Sequence, residues 1–406
     1  MHDILWGVPQ GSVLGPLLFL IFINDLPTSS NLWSWLFADD TALALSARNY
    51  HDLEIKFNLE IKKVHDWLLA NGLSVHYTDK TKYMLIQGPG RNTIRGDGTN
   101  FKLFMGNHEI ERTDKYKYLG VIFDDKLNWK PQIKRMCKKL ASVCGIISKV
   151  RHYLDRKSMM LIYNSLFDSR LRYGLLGWGT ASDSDLYKIE VLQNRAARFI
   201  AFSPFFRVSM TPIYANLEIL PLQDLFYLRK SIFMHNLHYG NLPFALSCYC
   251  QHPQHGLGTR HLTDLNYFLP FFRTNRGQTS IKFSGPKAWA DVPREFKETV
   301  FTKPFSKKMK EHLVNILVKK SEGKPLITYR KTNNKINLDG LAEIFHHSYN
   351  ESFDFQGFNV PSNFEAIFNS DSESDEDFLG FNVPSNLEAL FDSDSEPEED
   401  FLGFRT

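Results

Sequence analysis

Two adjacent carboxylates, Asp39 and Asp40, are the side chains of this sequence with the clearest capacity for chemistry. Neighbouring carboxylates resist ionising together unless a cation lies between them. Mg²⁺ suits such a pair, because it takes few protein carboxylates and completes its shell with waters and substrate phosphates. An Asp-Asp dipeptide is, however, more often an ordinary exposed turn. The pair therefore predicts either magnesium-dependent phosphate chemistry or a turn without a function.

The segments on either side of the pair predict how the carboxylates are held. LWSWLF (residues 32–37) and TALAL (residues 41–45) are short apolar runs rich in β-formers or aromatics. Two such runs around a turn signal predict a β-hairpin with the acids at its tip. Apolar residues then recur every three or four positions over residues 50–70, followed by Asn71-Gly72. This spacing predicts an amphipathic helix that packs on the sheet and ends at the Asn-Gly pair.

A second motif, GVPQGSVLGP at residues 7–16, lies upstream of the acidic pair. On its own it is compatible with a Gly-Pro loop capping a buried helix. Together with its spacing to Ala38-Asp39-Asp40, it resembles motifs B and C of reverse transcriptases of the non-LTR retrotransposon type, in the jockey-like branch. The resemblance continues through residues 67–85, YLGV (118–121) and QNRAAR (193–198), and covers about residues 1–330.

This resemblance implies an RNA-directed DNA polymerase that performs RNA-templated nucleotidyl transfer with two Mg²⁺ ions. Asp39 and Asp40 would be the metal ligands, and Lys80, with Lys82 as runner-up, would approach the triphosphate. The nucleotide and template pocket would be lined by Pro9, Gln10, Gly11, Phe37 and Ala38. The primer grip would be a strand over residues 116–123 that includes Tyr118, Leu119 and Gly120.

The palm of this family needs an earlier strand that carries a third catalytic aspartate. Only Asp3 and Asp25 precede Asp39, and neither lies in a matching motif. We therefore expect a C-terminal fragment, through truncation or a late-starting gene model, that does not extend a primer alone. The alternative from another class is a non-catalytic nucleic-acid-binding or interaction remnant of a retroelement.

A second acidic pair, Asp124-Asp125, precedes a predicted helix and is expected to cap and turn the chain.

The distribution of charge predicts a polyanionic partner. From Asp339 to Thr406 there are 17 acidic side chains and one basic one, Arg405, whereas residues 1–338 carry a net charge of +19. Residues 130–151 predict a helix with an apolar face and a basic stripe, whose alternative role is a solvated exterior. The predicted phosphate contacts on it are Lys134, Arg135, Lys138 and Lys139. The expected partners are an RNA template, an RNA–DNA duplex and deoxynucleoside triphosphates.

The sequence predicts neither a membrane segment nor a disulfide framework. The apolar run over residues 13–23 is too short to span a bilayer and lacks a preceding basic region, so it is interpreted as a buried helix. Four cysteines favour a reducing compartment, and we expect the protein in nucleus and cytoplasm. The Cys/His run over residues 248–255 has zinc-ligand types at unsuitable spacing, which favours an irregular loop.

These elements predict an α+β chain in four parts. They are a partial palm (1–123), a helical thumb and post-thumb region (124–240), an extension with interleaved basic and aromatic residues (241–332), and an acidic tail (333–406). In the tail, GFNVPSN recurs at residues 357 and 380, and GF at 403, a 23-residue period. A tail so rich in Asp, Ser and Glu cannot bury a core, which predicts a disordered segment that contacts the basic body or a host factor.

Overall fold

The computed structural model describes residues 12–77, 80–86, 101–203, 209–247, 249–250 and 266–322, and two short strands beyond them. The predictions for residues 7–11, for most of the Cys/His run and for the acidic tail from Asp339 lie outside these residues. The described residues divide into two compact units, the first ending at Gln132 and the second beginning at Ile133. Helices and strands are mixed, which confirms the α+β class at this coarse level.

The first unit combines two helices with short strand pairs. Its helices are α1 (Gly15–Ile23) and α2 (Tyr50–Ala70). Its strands are β1 (Trp33–Phe37), β2 (Asp40–Ala44), β3 (Lys82–Tyr83), β4 (Phe104–Met105), β5 (His108–Glu109), β6 (Glu111–Arg112), β7 (Lys115–Tyr118) and β8 (Val121–Asp124). The pairs β1–β2, β4–β5 and β7–β8 are antiparallel hairpins, and β3 pairs with β6 in parallel.

Helix α2 supplies much of the core of the first unit, and the predicted bounds of this helix are confirmed. The side chain of Asn49 caps its N-terminus by accepting a hydrogen bond from the backbone of Asp52. Gly72 ends it with a φ of +71°, a conformation that glycine adopts without steric cost. The buried side chains of one helix face, among them Ile61, Val64 and Leu68, therefore pack into a single apolar cluster.

Helix α1 is not the buried helix that its composition predicts. Only Gly15 and Ile23 are buried in it, while Leu17 is 54% and Ile21 is 66% exposed. A helix that is apolar on every side needs partners on every side. In this unit only one edge of α1 meets the core, through Ile23 and the partly buried Phe19. Uniform apolarity does not say which sides will find a neighbour, and the prediction was wrong for that reason.

The second unit is mainly helical. Its elements are α3 (Lys130–Val150, whose first turn belongs to the first unit), α4 (Arg156–Ile162), α5 (Ser169–Arg172), α6 (Leu175–Trp178), α7 (Asp183–Ala201), α8 (Met210–Leu217), α9 (Leu222–His238), α10 (Phe244–Ser247), α11 (Asn275–Thr279), α12 (Ile281–Ala290), α13 (Arg294–Lys297), α14 (Thr302–Ser321), β9 (Lys331–Thr332) and β10 (Lys335–Ile336). Helices occupy most of the described residues between 130 and 238. A π-helical turn, Tyr163–Asp168, joins α4 to α5.

Part of the interleaved basic and aromatic pattern of the extension lies in α12, which accommodates Pro286 within the helix. Trp289 is fully buried and packs against Phe305 with 5.9 Å between ring centroids. The interleaved aromatic pattern here follows core packing on α9 and α14. No helix in the described ranges combines the length and the apolarity needed to cross a bilayer.

Candidate functional site

The predicted hairpin around the acidic pair is present in the first unit. Strands β1 and β2 pair in a register that places Phe37 opposite Asp40, so that Ala38 and Asp39 form a two-residue turn. Tight hairpins of this length require a positive φ in the turn. Ala38 supplies it with a φ of 51°, in the left-handed region that residues with a Cβ seldom adopt. The two carboxylates therefore lie at the tip of a strained, closely defined turn.

The two faces of this hairpin differ in burial. Thr41 is fully buried, and Leu36 and Leu43 pack against the core. The opposite face is open, because Phe37 is 63% exposed. Directly opposed residues of an antiparallel pair share a face, so Asp40 lies beside the exposed Phe37, while Asp39 is exposed at the turn. One face anchors the hairpin; at its tip Asp39 is exposed to solvent, whereas Asp40 is half-buried and its Oδ1 is shielded from solvent.

Glu60 of α2 fixes the entry to this hairpin, and nothing in its sequence position signals that role. Its carboxylate accepts hydrogen bonds from the backbone N–H of Asn31 at 2.7 Å and from Lys63 Nζ at 2.7 Å. Asn31 lies two residues before β1. These contacts, the backbone bond first, lower the pKa of Glu60 below its ordinary 4.5. An ionised side chain on α2 therefore holds the chain that leads into the acidic turn.

Acidification is expected to remove this contribution. Because the folded-state pKa of Glu60 is lowered, its stabilisation is present above pH 4.5 and is lost as the pH falls through the lower value. Urea midpoints measured from about pH 6 to about pH 3 should therefore fall less steeply in Glu60→Gln than in the unaltered chain. Asp66→Asn, an exposed acid on the same helix, should keep the original profile. Parallel profiles for Glu60→Gln and the unaltered chain would contradict this role.

Two carboxylates at one turn suit part of a magnesium shell. Their oxygens are the hard donors that Mg²⁺ prefers, and waters and phosphates supply the rest. In the described part of the chain, no group of three or more His, Cys, Asp or Glu side chains is arranged to hold a metal. The residues present therefore fit Mg²⁺ as two ligands of a set that is not complete within those ranges.

The lysines predicted to face the triphosphate have different surroundings. Lys82 lies in β3, and its Nζ is 3.6 Å from Glu111 Oε2 on the neighbouring β6. Lys80 lies just before that strand, and its carbonyl accepts a hydrogen bond from Tyr116 Oη at 3.1 Å. Strand β3 contains only Lys82 and Tyr83, which pair with Glu111 and Arg112 of β6.

The segment predicted as a primer-grip strand is a hairpin. Strands β7 and β8 are joined by Leu119 and Gly120, whose φ values of 47° and 76° form a tight turn. The prediction of one continuous strand over residues 116–123 was wrong, because Leu119 and Gly120 both adopt the positive φ of a two-residue hairpin loop. Burial raises the pKa of Tyr118, and the negative charge of Asp40 raises it further. Tyr118 therefore lies within electrostatic reach of the acidic turn.

The second acidic pair has the structural role that its position predicts. Asp124 is buried, and its two carboxylate oxygens accept hydrogen bonds from the backbone N–H groups of Asn128 at 3.1 Å and Trp129 at 2.9 Å. These bonds hold the turn that leads into α3. The same dipeptide thus occurs twice in the first unit, once at a hairpin tip and once at the turn that leads into a helix.

Helix α3 has the amphipathic arrangement predicted from its sequence. Its apolar face is buried, including Ile133, Leu140 and Ile147. Lys134 and Lys138 are exposed, whereas Arg135 and Lys139 are half-buried. The four side chains lie one and two turns from the start of the helix, and their contact with phosphate stays a prediction.

Comparison with known proteins identifies the family to which these features are similar. Residues 4–123 match the family model described as reverse transcriptase (RNA-dependent DNA polymerase). The chain is 26% identical over 286 residues to the probable RNA-directed DNA polymerase from transposon X-element of Drosophila melanogaster, a match covering 68% of this chain and 30% of that protein. It is 28% identical over 230 residues to the RNA-directed DNA polymerase from mobile element jockey of the same species, covering 54% and 24%.

A third relative, the probable RNA-directed DNA polymerase from transposon BS of Drosophila melanogaster, is 29% identical over 234 residues, covering 54% of this chain and 24% of the relative. The resemblance to non-LTR retrotransposon reverse transcriptases is confirmed. The chain spans less than a third of the length of these relatives. No solved structure matches it.

Proposed function

We propose that this chain is part of an RNA-directed DNA polymerase of a non-LTR retrotransposon and carries two of its metal-binding carboxylates. The observation that carries the proposal is the position of Asp39 and Asp40, adjacent at the tip of a hairpin that is anchored by one face, with Asp39 exposed and Asp40 half-buried. Residues 1–123 would form part of the palm, and the helices that follow would include the thumb. The similarity to polymerases of mobile elements supports this reading.

In this proposal each residue near the turn has a limited task. Asp39 and Asp40 would hold Mg²⁺, which when bound supplies charge neutralisation at the reacting phosphates. Phe37 and Ala38 would border the incoming nucleotide, together with Pro9, Gln10 and Gly11. Lys80 would face the leaving pyrophosphate, where a cation offsets developing negative charge. Tyr118, Leu119 and Gly120 would contact the primer end from the neighbouring hairpin.

A second function, nucleic-acid binding without synthesis, is favoured for the chain by itself. The observation that favours it is the incomplete set of metal ligands. Among the described residues, no group of three or more His, Cys, Asp or Glu side chains could hold a metal ion. The strong positive charge of residues 1–338 suits a polyanion in either case. Both functions would use the basic face of α3, formed by Lys134, Arg135, Lys138 and Lys139, to bind a duplex. In both, the acidic tail would compete with nucleic acid for residues 1–338.

Binding of an RNA–DNA duplex to the chain should depend steeply on salt. Replacing Lys134, Arg135, Lys138 and Lys139 by Ala should reduce the slope of log K against log salt by up to about 3, because each phosphate contact contributes roughly 0.7 to 0.9. Fluorescence anisotropy of a labelled duplex over a salt series measures this slope.

The matched control takes four exposed lysines from α14 of the same unit, Lys303, Lys307, Lys310 and Lys319. This variant has the same change in net charge and should retain most of the slope. An unchanged slope in the α3 variant would show that this helix does not contact phosphate and would contradict the proposal.

A further inference from the structure

A cavity of about 740 Å³ lies in the first unit between α2 and the β4–β5 hairpin, and no role described above uses it. Its lining includes four aromatic or imidazole rings and two charged side chains of α2, namely His65, Tyr77, Phe104 and His108 with Lys62 and Asp66. The volume lies within the range of about 300 to 1,000 Å³ that is usual for small-ligand sites. The question is which ligand this combination of groups suits.

The rings are held in a fixed arrangement. His65 is only 8% exposed, and its Nε2 lies 2.9 Å from the Tyr77 hydroxyl. Tyr77 stacks on His108 with 4.3 Å between centroids and 19° between planes. Gly106, at a φ of +61°, brings the β4–β5 turn so close that a Cβ would lie 2.9 Å from His65 Cε1. The position of His108 is thus set through a buried partner and a turn that requires glycine.

Several groups at this cavity are available to a ligand. His108 is exposed, and Tyr77 is its only stacked ring among the described residues, so the opposite face of the imidazole is open. Lys62 and Asp66, one helical turn apart, are exposed and make no hydrogen bond or ion pair with other described residues. Asn107 adds an exposed amide at the turn. The cavity therefore offers a stacking face, a cation and a polar edge together.

We propose that this cavity binds a nucleotide unit, with its base stacked on His108 and its phosphate held by Lys62. Base stacking on aromatic or His side chains, combined with a nearby cation, is how proteins bind unpaired nucleotides. Asp66 and Asn107 supply an acceptor and an amide for the polar edge of the base. The nucleotide can be free or part of a single strand of RNA. The site is separate from the acidic turn and does not rest on polymerase activity.

Crosslinking of the whole chain to a single-stranded RNA that contains 4-thiouridine tests this site directly. After irradiation, mass spectrometry should locate crosslinked peptides within residues 62–77 or 104–108. His108→Ala should reduce this crosslink by about ten-fold, since loss of one stacked base costs roughly 5- to 100-fold in affinity. Lys62→Ala should also reduce it, because it removes the cation proposed to hold the phosphate. His51→Ala and Lys56→Ala are matched controls, because both side chains are exposed on α2 and do not line the cavity.

Competition separates the two sources of the nucleotide. If UMP abolishes the crosslink, the site takes a free nucleotide; if only unlabelled RNA does so, it takes part of a strand. Crosslinks confined to other peptides, or equal in His108→Ala, Lys62→Ala and the unaltered chain, would overturn the proposal. Circular dichroism of each variant checks that the fold is kept. Failure here would leave the salt-dependent duplex binding of α3 untouched, so the two proposals can be judged independently.

Discussion

Asp40→Asn is expected to lower RNA-templated primer extension by about a thousand-fold in any longer form of this protein that extends a primer. The amide keeps the size of the side chain but removes the charge that holds Mg²⁺, and metal-ion stabilisation is worth several kcal/mol of the barrier. Asp39→Asn should have an effect of the same order, because the two carboxylates share one turn. Incorporation of deoxythymidine on a poly(A) template primed with oligo(dT) measures the rate.

Asp125→Asn is the matched control for this experiment. It changes one carboxylate of the second Asp-Asp dipeptide by the same chemistry, and its rate should stay within a few-fold of the unaltered protein. The chain of 406 residues alone supplies the baseline and is expected to incorporate no nucleotide. Retained synthesis in Asp39→Asn or Asp40→Asn would remove these residues from the metal site. Magnesium-dependent incorporation by the chain alone would show that its ligand set is complete.

Asp124→Ala is expected to lower the free energy of unfolding of the first unit by about 3 kcal/mol. The buried carboxylate accepts hydrogen bonds from two backbone N–H groups, those of Asn128 and Trp129. Its removal leaves both donors without this acceptor, at about 1 to 3 kcal/mol each. Urea unfolding followed by tryptophan fluorescence measures the loss, since Trp129 is buried at this junction.

Two further variants separate capping from charge. Asp124→Asn retains one side-chain acceptor and should lose about half as much stability. Asp125→Ala removes a neighbouring carboxylate with no such pair of bonds and should change stability by less than about 0.5 kcal/mol. Equal losses for Asp124→Ala and Asp125→Ala would mean that the local charge, rather than the two hydrogen bonds, stabilises the turn.

Local patterns predicted the parts of the structure in which short-range chemistry decides the conformation. The hairpin around Asp39 and the turn at Asp124 follow from turn residues between β-forming runs and before a helix. Helices α2 and α3 follow from apolar spacing, because each buries one continuous stripe. The acidic turn, which is the centre of the candidate site, belongs to this group.

Features that depend on distant partners were missed. The exposure of α1 depends on which neighbours are present, and its uniformly apolar sequence carries no such information. The primer-grip segment was mistaken for one strand because Leu119 gives no sign that it will adopt a positive φ. The roles of Glu60 and His65 follow from contacts with residues far along the chain, such as Asn31, and no local pattern marks either side chain.

The left-handed conformation of Ala38 also bears on how readily the two acids can receive a ligand. Glycine would relieve the steric cost of that φ, but its backbone explores a much wider range of dihedral angles. A methyl group at this position confines the turn to a narrow basin, so the carboxylates on its C-terminal side have fewer orientations to lose. The backbone part of the entropic cost of placing them is therefore met when the chain folds, before any ligand arrives.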